Sequence, residues 1–395
     1  MKIGFYGNAN NYPFMLARAL MRRGHEVEFV VTSRDRLNRP ECRYPDVRSP
    51  YPPWLHDLSR PVRWRWLLPP RGALTGILNR CDFLFLNEEG PAFARSLRVP
   101  YAAMLTGSNL EVFADAERVL TLLPSRWLGR AARRAVLGPL LLSPQRQGIR
   151  GAAFVTYFAR GLVPNGDRML GELGIDEGRR HFLLMTDLDL IPAAAPPQNP
   201  RLRTFCATRL VWRSEPAAGL TSLDYKGSDV MVRGLAEFWR RTGRRLDIHL
   251  VRKGRHAADT GALAAQLGIG DQVTWHDEMT QAEVLEHYRG ADVVFEQLSE
   301  SVVAMAGLDA MATGRPVIAN WRPEVLDAVL GEPAPVCQAS TPGDVCGWLE
   351  RLVDDAALRN SLGQRGRSFV ERHFSSDAAA ASCLERIHQC LPARK

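Results

Sequence analysis

The chain has 395 residues, more than one hydrophobic core usually supports, so at roughly 150 residues per domain two units are expected. Hydrophobic and charged shares of 46% and 24% exclude wholesale disorder, and no run approaches the roughly 18 apolar residues that a membrane span needs. A formal charge of +8, carried mostly by arginine in the first half, permits attraction to the phosphates of a nucleotide or an anionic lipid. With no RNP-type aromatic motif, finger spacing or lysine-rich tail beside it, it argues against nucleic acid.

Seven cysteines are scattered, odd in number and without a C-x-x-C pair, so neither a disulfide framework nor a zinc site is supported. The opening Met1-Lys2-Ile3-Gly4-Phe5-Tyr6 leads straight into a structured pattern without a signal-peptide layout, and a cytoplasmic protein is expected.

In chain order, residues 2–6 and 26–32 read as β-strands, with a helix from Pro13 to Arg23 between them that stops at Gly24 as a C′ glycine. Phe83 to Leu86 reads as a buried strand, Pro91 to Leu97 as a short helix, and Tyr101 to Leu105 and Ala152 to Tyr157 as further strands. Such alternation builds a parallel sheet covered by helices. Four prolines between Pro192 and Pro200 admit neither a helix nor a central strand, which makes 192–200 the linker.

Beyond it the alternation restarts. Strands are expected at Thr204–Ala207, Asp247–Val251, Val273–Trp275, Val293–Phe295 and Pro316–Ala319. Helices are expected at Asp229–Arg241, Ala257–Leu267, Gln281–Tyr288 and near Val303–Thr313. Pro342 to Leu391 reads as consecutive amphipathic helices broken at Gly363, Gly366 and Phe374-Ser375-Ser376.

Several stretches together resemble the retaining glycosyltransferases of the GT-B fold, specifically family 4 (glycosyl transferases group 1). Leu20 to Val27 looks like that family's first helix and second strand. Asp309-Ala310-Met311-Ala312-Thr313-Gly314-Arg315-Pro316-Val317-Ile318 is similar to its E-A-M-A-x-G-x-P-V-V signature, and Leu362 to Ser375 to its terminal helices. The resemblance implies two Rossmann-like α/β domains facing across a cleft. The acceptor domain would be 1–191 with a crossover helix at about 375–395, and the nucleotide-sugar donor domain 201–374. It also implies a metal-independent hexosyltransferase with no cofactor, moving a sugar from a nucleotide-sugar donor to a hydroxyl of a glycan or lipid-linked acceptor in polysaccharide biosynthesis.

Transfer from such a donor requires stabilising the growing charge on a diphosphate, which basic side chains and the N–H groups at a helix N-terminus do. By resemblance Arg209 and Lys226 fill the basic positions, with Arg213 a rival for the first, while surface charge is the plainer account of each. The family's two glutamates stand eight positions apart. Here Asp309 occupies the ribose-binding place, Ser301 stands where the first glutamate belongs, and Glu300 beside it is the candidate catalytic acid.

Ser301, Val302 and Val303 would open the helix facing the diphosphate, although Ser301 also suits a plain N-cap and Gln297 to Glu300 a solvated loop. In the first domain Gly7 and Asn8 are placed at the donor phosphate, and Asn11 and Glu88 at the acceptor. Asparagine turns and a helix-start carboxylate are the plainer accounts. Thr106 replaces the family's histidine near the reacting sugar and offers a hydroxyl but no group that titrates near neutrality.

Two stretches that mix arginine with tryptophan or leucine, Arg60–Arg71 and Arg126–Arg150, suit peripheral contact with an anionic bilayer on the inner face of a membrane. A solvated helix face with ordinary core tryptophans explains them equally. The altered acidic pair and absent histidine also suit a non-catalytic GT-B module serving as scaffold or partner of an active glycosyltransferase.

Overall fold

The computed structural model describes residues 1–61, 65–66, 71–123, 128–213, 224–299 and 303–391. The chain forms two compact units. The first comprises Met1–Phe158, Pro164–Leu183 and Ser376–Lys395, and the second Ala159–Val163 and Leu184–Ser375.

The first unit is built on a seven-stranded sheet: Lys2–Tyr6 (β1), Glu26–Ser33 (β2), Leu55–Arg60 (β3), Phe83–Leu86 (β4), Tyr101–Met104 (β5), Phe154–Tyr157 (β6) and Arg180–Phe182 (β7). Its spatial order is β3-β2-β1-β4-β5-β6-β7, every pair parallel. β4 is buried at all four positions, as a central strand covered on both faces must be. Register sets Phe5 opposite both Phe29 and Phe85, and the three rings stack with centroids 5.5 and 5.1 Å apart. That row of phenylalanines holds the middle of the sheet together.

The helix Tyr12–Arg22 covers it and stops as the sequence suggests. Gly24 has φ +82°, its N–H bonds to Met21 O, and the His25 N–H bonds to Leu20 O, which satisfies carbonyls left open at the helix end. The helix Ser376–Cys390 packs in the same unit, where Arg22 donates to Ser376 Oγ at 2.8 Å.

The second unit holds Arg203–Cys206 (β8), Asp247–Val251 (β9), Val273–His276 (β10), Val293–Phe295 (β11), Val317–Ala319 (β12) and Cys337–Gln338 (β13). They form a parallel sheet in the order β10-β9-β8-β11-β12-β13. The helices Ser228–Thr242 and Pro342–Asp354 pack together because Gly234 admits Val345, where a Cβ would come within 2.4 Å of the valine. The run Pro192–Pro200 is irregular and packs with this unit, with the Ala194 N–H on Thr313 O. Among the described residues no helix is long and apolar enough to cross a membrane.

Three strands were not expected from the sequence: β3, β7 and β13. β3 and β7 are the two edges of the first sheet and carry polar residues (Leu-His-Asp-Leu-Ser-Arg and Arg-His-Phe), while β13 is a two-residue edge of the second. A strand paired on one side has little alternation to betray it. The terminal helices divide at Phe374-Ser375 as expected, but also at Asp355, which was not expected, and the helix Ala356–His373 runs unbroken through Gly363 and Gly366. Gly363 is a packing residue, since a Cβ there would overlap the Gly314 carbonyl.

Two outcomes follow from this packing. Gly363→Ala should lower stability by about 2–3 kcal/mol in urea unfolding, although alanine intrinsically favours a helix interior by about 1 kcal/mol, because the Gly314 backbone cannot retreat. A cost near zero would mean that the backbone yields. His181 on β7 lies edge-on to Phe154 and near Arg386, and burial followed by that cation pulls its pKa down to about 4. Neutral His181 therefore supports the fold above pH 6.5, and that support is lost as pH falls from 6.5 toward 4. His181→Gln should remove roughly 2–3 kcal/mol of the acid-induced loss, read as a flatter plot of unfolding free energy against pH.

Candidate functional site

In an open parallel sheet the strand order reverses where two neighbouring strands send their connections to opposite sides, and ligands bind outside the carboxyl ends at that point. The reversal lies between β1 and β4 in the first unit and between β8 and β11 in the second. The two edges are built differently.

At the first, the loop after β1 turns sharply. Gly7 has φ +80°, and Asn10 and Asn11 adopt φ of 53° and 60°. Asn8 is fully buried. Its Nδ2 donates to Asn11 Oδ1 at 2.7 Å and to Asn38 O at 3.0 Å, and its Oδ1 accepts from the Phe14 N–H. Asn11 Nδ2 in turn donates to Leu37 O and Arg39 O.

The β4 end is equally occupied. Glu88, in left-handed backbone at φ 49°, accepts from Thr32 Oγ1 at 2.9 Å and pairs with Arg65 at 3.0 Å. Glu89 pairs with the same arginine at 3.3 Å and accepts from the Tyr6 hydroxyl, and burial holds its carboxyl well above the usual range despite Arg65. Thr106 Oγ1 donates to Asn109 Oδ1 at 2.8 Å, and Asn87 Nδ2 reaches the same hydroxyl at 3.3 Å. Gly7, Asn8, Asn11, Glu88 and Thr106 are thus gathered at one sheet edge, and their polar side chains bond to one another and to the chain around them.

The basic stretches turn partly inward. Arg65 is buried against Glu88 and Glu89, and Trp66 packs with Phe113, Leu120 and Leu137. Trp127 and residues 62–64 and 67–70 lie outside the described residues. In the helix Arg130–Leu137, Arg133 donates to Leu120 O, Arg130 pairs with Glu117, and Arg134 is exposed.

At the second edge, β8 leads into Thr208 and Arg209, and β11 into Glu296 and Gln297. Gly227, with φ +65°, threads Lys226 between them, since a Cβ there would meet the Ser299 nitrogen at 2.8 Å. Backbone bonds from the Lys226 N–H to Val211 O and from the Leu298 N–H to Lys226 O hold this strap against both strand ends.

Lys226 is half-buried, and its ammonium donates to Gln297 Oε1 at 3.1 Å. Burial pulls its pKa down, Glu296 opposes that shift, and Arg209 adds to it. Glu296, 4% exposed, is raised by burial and steadied by Lys226, and Thr208 Oγ1 donates to it at 3.4 Å. Arg209 stays exposed and pairs with Asp224 at 2.8 Å. Its rival Arg213 lies over the Trp212 ring and reaches Asp259 at 3.5 Å, away from this group.

Three buried polar atoms here have no hydrogen-bond partner: Glu296 Oε2, Gln297 Nε2 and Ser228 Oγ, the last in the first turn of the helix Ser228–Thr242. Buried polar atoms are almost always paired. The three orphans are unmet groups at one strand-order reversal that a polar ligand would satisfy.

Glu300, Ser301 and Val302 lie outside the described residues. The following helix begins at Met305 with Ala304 as its N-cap, later than expected. Val303 is buried before it, and Gly307 in its first turn lies against both Val303 and Glu296. Asp309, 2% exposed, accepts from Thr186 Oγ1 and from Gln281 Nε2 at 2.7 Å. The structure thus joins Arg209 to Lys226 and gives Asp309 partners of its own. Sequence reading missed Glu296 and held a solvated loop as the plainer account of Gln297 to Glu300, whereas Gln297 is fully buried. The polar pair Glu296-Gln297 directly after the apolar strand Val293-Val294-Phe295 was the available signal.

Residues 217–355 match the family described as Glycosyl transferases group 1. The D-inositol 3-phosphate glycosyltransferase of Kineococcus radiotolerans is 30% identical over 186 residues, 43% of this chain and 42% of that protein. Its counterpart from Xylanimonas cellulosilytica is 32% identical over 176 residues, 43% and 40% respectively. The chain thus spans less than half the length of the curated relatives it matches. Two solved structures share the fold across nearly the whole chain. Sucrose-phosphate synthase from Thermosynechococcus elongatus has a TM-score of 0.64 at 15% identity, covering 98% of each chain. Anabaena HepE, solved with UDP and glucose, has a TM-score of 0.63 at 12% identity, covering 98% of this chain and 100% of that one.

Lys226 and Glu296 should be energetically coupled through their charges. Lys226→Met and Glu296→Gln should each lower stability in urea unfolding, and the double variant should show a coupling energy of about 0.5–3 kcal/mol. Additive losses in the double variant would show the two to be independent.

Proposed function

We propose that this chain, with its GT-B fold and family 4-like second unit, is a retaining glycosyltransferase that takes its sugar from a nucleoside diphosphate donor. The observation that carries the reading is the second unit's sheet edge. There a half-buried ammonium, an exposed arginine, the N-terminus of a 15-residue helix and three unpartnered buried polar atoms meet at a strand-order reversal. Lys226 and Arg209 are the cations for the diphosphate, aided by the N–H groups at Ser228, and no divalent ion is required at that point. Glu296 and Gln297 stand ready for the transferred sugar's hydroxyls through their open Oε2 and Nε2.

In the proposed reaction the bond from the sugar's anomeric carbon to the diphosphate oxygen breaks. An acceptor hydroxyl oxygen bonds to that carbon from the same face, and its proton passes to the departing phosphate. This route needs no titrating side chain at Thr106. Charge developing on the leaving group is met by Lys226 and Arg209, whose effect grows where water is excluded. The first unit selects the acceptor, a glycan or lipid-linked hydroxyl, in the assembly of an envelope polysaccharide. The solved relative that carries UDP and glucose supports a nucleotide-sugar partner.

Calorimetric titration with UDP, GDP and ADP tests the donor site. One of them should bind with a micromolar dissociation constant, weakened about 10- to 100-fold in Lys226→Ala, in keeping with the loss of a charge-assisted contact. Absence of binding at millimolar nucleotide would refute the reading. Binding without turnover of the matching sugar nucleotide, with or without acceptor, would identify a non-catalytic module instead.

A further inference from the structure

The second unit carries another polar cluster with no part in the proposed transfer. His249 lies on β9, His276 closes the edge strand β10, and His287 sits on the helix Gln281–Gly290. Register sets Phe205, His249 and Thr274 opposite one another across three parallel strands. His276, two residues beyond Thr274, therefore shares their face of the sheet. The helix lies over that face, with Tyr288 edge-on to Phe205 and the His287 ring stacked on Phe205 at 4.8 Å. Backbone and packing thus converge three imidazoles independently. His249 Nδ1 lies 2.8 Å from His276 Nε2, and one nitrogen from each ring lies within 4.8 Å of the other two.

We infer that His249, His276 and His287 form a site for a transition-metal dication of the zinc class, held by three imidazole nitrogens with water in a fourth position. Three observations support it. A tetrahedral ion with metal–nitrogen bonds of about 2.0–2.1 Å spaces its ligands roughly 3.3 Å apart, which lies between the 2.8 Å of the His249–His276 pair and the 4.8 Å that bounds the trio, so side-chain shifts of a fraction of an ångström to about 1.5 Å complete the site. His249 offers Nδ1 inward because its Nε2 is bonded to Asp247 Oδ1 at 2.9 Å, and Asp247 is itself fixed by Arg203 Nε at 2.7 Å. A carboxylate behind a ligating imidazole sets its tautomer and orientation. All three histidines are half-buried, which leaves the ion a way in. Without metal, an N–H shared between His249 and His276 fills the gap. On binding, the ion replaces that hydrogen bond and the His276 proton moves to its Nδ1.

The site ties β10 to β9 and to the helix above them. β10 pairs only with β9, so the ion clamps the sheet's free edge and acts on stability. Nothing in the inference depends on nucleotide binding.

The test uses the whole chain freed of metal by chelation and desalting. Zn²⁺ titration by calorimetry should show one equivalent bound at micromolar or tighter affinity with a raised unfolding temperature, and Co²⁺ should give the visible bands of a four-coordinate ion. His276→Gln and His287→Gln should each weaken Zn²⁺ binding at least 100-fold, and Asp247→Asn about 10- to 100-fold, as the loss of an outer-shell partner does. Far-UV circular dichroism identifies a variant that fails to fold. His276→Gln, at the end of an edge strand, then decides the matter. Absence of stoichiometric Zn²⁺ binding, or binding unchanged in His276→Gln, would overturn the site.

Discussion

A half-buried ammonium at a sheet edge is the constraint from which the second unit's organisation follows. A lysine charge drawn partly out of water is costly unless other charges and dipoles answer it. Here the answer comes from Glu296 at the end of β11 and from the Gln297 carbonyl oxygen. For Lys226 to reach them the chain must cross between the ends of β8 and β11, and only a residue without a side chain fits beside Leu298 and Ser299, hence Gly227 in left-handed backbone. The helix Ser228–Thr242 then starts where its N-terminus points at the same place. One electrostatic requirement thus fixes a strap, a glycine and a helix start together.

Much of this architecture was legible beforehand, and the reason is periodicity. The strands that alternation identified are, except for the edge strand β10, the inner ones, where a run such as Phe83-Leu84-Phe85-Leu86 admits little else. The edges β3, β7 and β13 escaped because a strand paired on one side tolerates polar residues at nearly every position. Gly363 and Gly366 misled for the opposite reason. Glycine in a sequence signals a helix end, but at 363 it answers a backbone lying alongside, a neighbour 49 positions away that no local window contains.

The candidate site was legible in kind and less so in composition. Arg209 and Lys226 were found through a family pattern, and the structure separates Arg209 from Arg213 through Asp224 and Asp259, two partners that sequence cannot assign. Glu296 was hidden because an acidic residue after an apolar strand looks like the start of a loop. Its role appears only once Lys226, 70 residues earlier, folds back beside it. The histidine trio was hidden in the same way, since its spacings of 27 and 11 residues match no metal-binding motif and its register is set by strand pairing.

The contrast between the two sheet edges bears on how binding is divided. Counted from its own first strand, each sheet runs in the order 3-2-1-4-5-6, with a seventh strand added in the first, so topology alone offers a ligand place in each. At the first edge Asn8, Asn11, Glu88 and Thr106 spend their hydrogen-bonding capacity on one another and on Arg65, Thr32 and Asn109. A ligand there must compete with bonds already made, or be held by backbone and shape. At the second edge Glu296 Oε2, Gln297 Nε2 and Ser228 Oγ are buried without partners, as Arg65 Nε alone is among the groups named at the first, and a bound polar group would offset that cost. A polar ligand thus meets more unanswered hydrogen-bonding groups at the second edge than at the first.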